Sequence, residues 1–540
     1  MRRNGILMHI SSLPSDYGIG TMGKAAYDFA DYLEKAGQSV WQILPVNPTG
    51  FGDSPYASYS TYAGNPYFID LDMLAEDGLL KKEEYAYRYW GDNPEHVEYE
   101  HLYNSRFPVL ELAAKRFLEN PPKDYAQFKK DNEEWLEDFA LFEALKKKHQ
   151  GKPWTDWEKP YCKYDSRLAK VWARELRKEM EPYKVWQYLF FKQWNSLKDY
   201  VNAKGIKIIG DMPIYCAMDS VDAWSHPEAF LIDEKGKPEF VAGYPPESKK
   251  DTGQLWGNPL YNWKQQKKDN YEWWVNRVRH LTNLYDILRI DHFIGFDSYY
   301  AIPAKTMDPA DGKWEKGPGY DLFRVLKREL GNPEIIVEDL GRITPSVKQL
   351  LRDVGYPGMK ILEFAFYDRN YETNPYLPYN INKDSVAYLG THDNNTIQGW
   401  LDSLNYNDLQ YVKEFVHSHS DNKEVIHWDL VRTLLGTPAE TTILQAQDLK
   451  ALGGWSQMNQ PNTVGMNWTW RIKKGALDDE NAAWVKNITS TYGRLPVKPK
   501  KEKKEDTEET EEKKVKAKTY AIDLGKEKET DKKKPDLKLK

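Results

Sequence analysis

The chain has 540 residues and a formal net charge of −6, with 76 Lys and Arg against 82 Asp and Glu. That balance excludes a nucleic-acid partner bound through a basic surface, and no window approaches the roughly 18 consecutive apolar residues of a membrane span. The two cysteines, Cys162 and Cys216, lie too far apart for a CxxC site and are too few for a disulfide framework, so a reducing, cytoplasmic compartment is expected.

In chain order, the first apolar run is GILMHISSL from Gly5, too short for a signal-peptide core and followed by turn residues rather than a cleavage site. The amphipathic stretch YDFADYLEKAG from Tyr27 then leads to a second run, SVWQILPVNP from Ser39. An aromatic loop, FGDSPYASYSTYAGNPYF from Phe51 to Phe68, follows it. The next candidate strand is about 150 residues further on, far more than a loop in a compact domain spans. Helical periods in DNEEWLEDFALFEALKKKHQG and PYKVWQYLFFKQWNSLKDYVNAKG predict an inserted, mainly helical subdomain over about 70–200.

Six more runs follow: IKIIGDMPIY from Ile206, DILRIDHF from Asp286, EIIVEDLG from Glu334, MKILEFAF from Met359, SVAYLGTHDN from Ser385 and TTILQAQDL from Thr441. Continuously apolar strands that alternate with amphipathic segments indicate a parallel sheet covered on both faces. Eight such units predict an α/β fold of the (β/α)8 barrel type, a TIM barrel, over 1–497; a doubly wound sheet is the alternative. The segment 498–540 is dominated by Lys, Glu and Asp, has too little apolar surface to offset its ordering entropy, and is predicted to be a disordered charged tail.

Polar residues gather where these strands finish: Asp211, Arg289 with Asp291, Glu338 with Asp339, and His392 with Asp393. The C-terminal ends of barrel strands converge on one face, so residues distant in sequence can share a pocket. Several carboxylates with an arginine and a histidine suit glycosidic-bond chemistry, where one carboxylate attacks or stabilises the anomeric carbon and another protonates the leaving oxygen. Arg289, two residues before Asp291, is expected to hold that carboxylate ionised. The aromatic content of 14% agrees with sugar stacking, although rings also fill cores. Structural readings stand beside these: Asp339 as a turn cap, Asp211 as a cap before Pro213, and His292 and His392 as polar residues at strand ends.

The segments HISSLPSDYGIG, WQILPVNPTGFGDSPYASYSTYAGNPY, IIGDMPIYCAMDSVDAW, GQLWGNPLYNW, LRIDHFIGF, VEDLG and LGTHDNNT occur in that order between Gly5 and Trp470. Together they resemble the bacterial 4-α-glucanotransferases (amylomaltases, or disproportionating enzymes) of the α-amylase clan. The resemblance implies a nucleophile at Asp291, a general acid/base at Glu338 and a third carboxylate that grips sugar hydroxyls at Asp393. It implies further substrate contacts at Tyr56, Asp211, Arg289 and His392, with Trp256 and Asn258 on a loop bordering the acceptor side. The implied partners are maltooligosaccharides and α-1,4-glucans, with no cofactor and no metal. Where many relatives read close to PPDYFSETGQLW, this chain has PPESKKDTGQLW from Pro245 to Trp256, so Ser248 and Lys249 replace an aromatic pair. Ile294 likewise replaces a basic residue found in many relatives. An amylase-like hydrolase and a non-catalytic glucan-binding barrel remain as the alternative functions.

Overall fold

The computed structural model describes residues 2–50, 52–246, 248, 251–463 and 465–497; the tail expected from 498 lies outside them. Twelve strands occur among the described residues. In chain order they are β1 (Arg3–Leu7), β2 (Val40–Gln42), β3 (Lys207–Met212), β4 (Phe240–Tyr244), β5 (Gln254–Pro259) and β6 (Ile287–Ile290). They continue with β7 (Ser298–Pro303), β8 (Lys313–Lys316), β9 (Ile335–Val337), β10 (Gly358–Ile361), β11 (Ser385–Tyr388) and β12 (Thr441–Gln445).

Eight of them close into a parallel barrel in the order β1-β12-β11-β10-β9-β6-β3-β2. Closure excludes the doubly wound alternative, because β1 is hydrogen-bonded on both sides, to β2 and to β12. Six of the barrel strands fall within the eight apolar runs, while β1 and β10 overlap theirs but begin two residues and one residue earlier, as expected for strands buried on both faces. The barrel strands β2, β6, β9, β11 and β12 are buried along their whole length.

The long connection between β2 and β3 is helical for much of its course, including Tyr99–Glu119, Glu133–Lys148 and Arg177–Ala203. The last of these helices fastens the end of the aromatic loop through two glutamines. Gln187 accepts from the Gly64 N–H at 2.7 Å and donates to the Gly64 carbonyl at 2.9 Å. Gln193 treats Asp70 the same way, at 2.7 and 3.2 Å. Glycine is needed at position 64, because a Cβ there would lie 2.1 Å from the Phe190 ring on the same helix.

The remaining four strands form an antiparallel sheet in the order β5-β4-β7-β8, which the sequence reading did not foresee. Its strands are carried by the connections that follow β3 and β6. The segment around Trp256 and Asn258, expected to be a loop, is therefore strand β5. No helix among the described residues is long and apolar enough to cross a membrane.

Candidate active site

Asp211 is in β3 and Arg289 in β6, and parallel pairing sets the two directly in register. Asp291 stands one residue beyond β6 and Glu338 one residue beyond β9. Backbone bonds carry the ladder past both strand ends: the Asp291 N–H donates to Met212 at 3.0 Å and the Glu338 N–H to Ile290 at 2.9 Å. Because side chains alternate along a strand, Arg289 and Asp291 share a face. These elements place three carboxylates around one guanidinium that is only 2% exposed.

Arg289 Nη1 donates to Asp211 Oδ2 at 2.5 Å and to Asp291 Oδ1 at 3.0 Å, while Nη2 donates to Glu338 Oε2 at 2.8 Å. Its Nε reaches the Met359 sulfur at 3.4 Å. Tyr56, from the aromatic loop, donates its hydroxyl to Asp211 Oδ2 at 2.7 Å. The Tyr56 ring is stacked on the His392 imidazole, with centroids 5.1 Å apart and planes 11° from parallel. Asp393 pairs with His392 Nε2 at 3.3 Å and accepts from Asn459 Nδ2 at 2.6 Å. On the other side, the His292 N–H donates to Glu338 Oε2 at 3.1 Å, and the Trp256 ring meets the His292 ring edge-on at 4.8 Å. Asn258 lies one step outward, where its amide donates to the Cys216 carbonyl at 2.8 Å.

The carboxyls of Asp291 and Glu338 act on each other directly, so they titrate as a pair. Burial, reinforced by the adjacent Glu338 charge, raises Asp291 well above the ordinary carboxylate range. Burial also acts to raise Glu338, but the Arg289 charge, the Asp291 hydrogen bond and the His292 ring and N–H outweigh it and hold Glu338 at about 2. The expectation that Arg289 simply keeps Asp291 ionised is thus altered. Its guanidinium is divided among three carboxylates, and burial together with the Glu338 charge outweighs its pull on Asp291. Burial lowers the His292 imidazole to about 4, so it is neutral at neutral pH.

Asp339 points away from this network. It accepts from the Met359 N–H at 2.6 Å and pairs with Lys360 at 3.1 Å, which makes it a tie between β9 and β10 and not a turn cap. Asp211 is likewise no cap, being committed to Arg289 and Tyr56. Sequence reasoning missed Asn459, which steadies Asp393, and Trp468, whose ring lies 5.7 Å from Tyr56 and 6.0 Å from His392. Both occur in SQMNQPNTVGMNWTW, which has no period; the paired tryptophans were its one signal. In the departing segment, Ser248 is exposed, while Glu247, Lys249 and Lys250 lie outside the described residues, as does Phe51.

Paired carboxylates gathered at the mouth of a (β/α)8 barrel define a carbohydrate-active class of protein. Residues 8–477 match the model of the 4-alpha-glucanotransferase family. The 4-alpha-glucanotransferase of Clostridium butyricum is 44% identical over 488 residues, covering 90% of this chain and all of the relative. That of Thermus thermophilus is 39% identical over 504 residues, covering 92% of this chain and 99% of the relative. The amylomaltase of Streptococcus agalactiae, solved in complex with acarbose, superposes with a TM-score of 0.89 at 42% identity, covering 92% of this chain and all of that structure. The chain belongs to the 4-alpha-glucanotransferase family.

Proposed function

We propose that this chain transfers α-1,4-glucan segments between maltooligosaccharides by a retaining double displacement, with Asp291 as nucleophile and Glu338 as general acid and base. The observation that carries this reading is the single guanidinium that grips both carboxyls side by side. Retaining enzymes hold their two carboxyls about 5–5.5 Å apart and inverting enzymes roughly 6.5–9.5 Å, and two carboxyls on one guanidinium favour the closer spacing. In the first step the one proton held by the pair is delivered by Glu338 to the glycosidic oxygen as the bond from that oxygen to the anomeric carbon breaks. The Asp291 carboxylate bonds to the anomeric carbon and the shortened glucan departs. An acceptor's 4-hydroxyl then attacks the ester, its proton going to Glu338, and the Asp291 carboxylate is released.

Asp393 is assigned to gripping donor hydroxyls, steadied by His392 and Asn459. Arg289 and Asp211 orient the nucleophile, Tyr56 on His392 offers a stacking face, and Trp256 with Asn258 borders the acceptor side. The free cysteines fit a cytoplasmic setting.

Water at about 55 M competes for the glucosyl ester, but an oriented 4-hydroxyl can act at an effective molarity of about 10⁵ M or more. On maltotriose, transfer is therefore expected to exceed hydrolysis by at least about tenfold. Glucose should accumulate while total reducing ends stay constant. Reducing ends that rise in step with glucose from the first minutes would identify a hydrolase, and no change in maltotriose a binding protein.

Catalysis needs one proton on the Asp291–Glu338 pair, which gives a definite sign to its pH dependence. At the acid end, activity falls as Glu338, held at about 2, takes up a second proton. At the alkaline end it falls as the shared proton is lost, and that limb lies well above the ordinary carboxylate range because burial and mutual repulsion raise it. A kcat/KM profile checks this: Glu338→Gln should remove the alkaline limb, and an unchanged limb in that variant would assign it to another group.

A further inference from the structure

A cavity of about 440 Å³ is formed by residues other than the catalytic carboxylates. It is bounded by the helices Glu133–Lys148, Val221–Ser225 and Glu272–Leu284 and by the far end of the aromatic loop. Asp291, Glu338 and Asp393 take no part in its lining. Its volume is within the range of about 300–1,000 Å³ usual for small-molecule sites.

Two kinds of surface meet there. Tyr62 and Trp135 are parallel, with centroids 6.2 Å apart and planes at 14°, and the Trp273 indole adds a third ring. Around these rings stand the carboxyls of Asp138 and Asp222 and the amides of Gln265 and Asn276. Apolar ring faces suit the C–H faces of a pyranose, while carboxylate and amide groups suit its hydroxyls. The carboxylates outnumber the single imidazole of His226, which turns away anions.

We propose that this cavity is an accessory saccharide site that receives the end of a maltooligosaccharide. The inference rests on the glucan substrate class proposed above. It also has a route to the active site. Asp222 holds Thr61 through the backbone N–H at 2.9 Å and through the hydroxyl at 2.6 Å. Ser60 and Tyr62, on either side of Thr61, line the cavity, and the same loop carries Tyr56 to Asp211. A saccharide resting on Tyr62 therefore lies on the same loop that walls the donor sugar.

The test is a calorimetric titration of maltohexaose into the full chain carrying Asp291→Asn, so that bound glucan is not turned over. Two binding sites are expected. Adding Asn276→Trp, which fills the cavity, or Trp273→Ala, which removes a wall, should leave one site, with thermal melts establishing that each variant is folded. With Asp291 intact, Asn276→Trp should leave maltotriose disproportionation at saturation unchanged. A single site in the parent, or two sites that survive both cavity variants, overturns the proposal. No binding at all, together with no disproportionation of maltotriose by the wild-type chain, would instead overturn the functional reading beneath it.

Discussion

Replacing Asp291 with alanine is expected to lower turnover on maltotriose about 10⁴-fold or more, the scale of loss when a covalent catalyst is removed. The melting temperature should not fall with it. In the folded chain Asp291 is buried and crowded by Glu338, and a carboxyl whose pKa is raised on folding costs the fold stability at neutral pH, whether it takes up a proton or keeps its charge. Removing it removes that cost and leaves Arg289 bonded to Asp211 and Glu338. Activity and stability should thus separate, which distinguishes a nucleophile from a structural carboxylate. A comparison with Glu338→Gln sharpens the test. Donors whose leaving group needs no proton should partly restore the glutamine variant and do nothing for Asp291→Ala. An Asp291→Ala enzyme that keeps a tenth of wild-type turnover would remove that residue from the role.

Arg289→Met should have the opposite profile, with activity and stability lost together. Three carboxyls would remain around a side chain that no longer carries charge, and breaking a buried ionic cluster by removing one partner costs about 3–5 kcal/mol. The sign with pH follows from linkage. Without the guanidinium, burial and mutual repulsion raise the carboxyls above their unfolded values. Groups raised in this way contribute stability at low pH that is lost as pH rises through their folded pKa. The deficit of Arg289→Met relative to wild type should therefore be smallest in acid and grow toward alkali. Urea unfolding midpoints at about pH 5 and pH 8 measure it, and a deficit independent of pH would mean that Arg289 contributes packing rather than charge.

Much of this was legible in the sequence, for a physical reason. Barrel strands buried on both faces are apolar throughout, so each stands out as a run, and the polar residue that ends the run marks the catalytic face. That is how Asp211, Arg289, Asp291 and Glu338 could be gathered from distant positions. The four-stranded sheet was hidden because β4 and β5 are separated by the polar, proline-containing segment 245–253, which reads as a turn region, and because their pairing with β7 is long-range. Asn459 and Trp468 lie in irregular chain, where no period marks a buried face. The division of Arg289 among three carboxylates was also beyond the sequence. Spacing along β6 revealed only the neighbour two residues on, whereas Asp211 and Glu338 come from the strands on either side of it, β3 and β9.

The two glutamines of the helix Arg177–Ala203 hold the aromatic loop by a different currency from the one that runs the chemistry. Each amide closes a ring of two hydrogen bonds on one residue, Gly64 or Asp70, using groups that carry no net charge. Such bonds do not titrate, and ionic strength screens them little, while the carboxylates a short way along respond to acid. This end of the loop and the machinery beside it are therefore set to fail independently. On acidification the enzyme should fall silent with the Gly64 and Asp70 anchors still in place, and it should resume work on neutralisation without having to remake them.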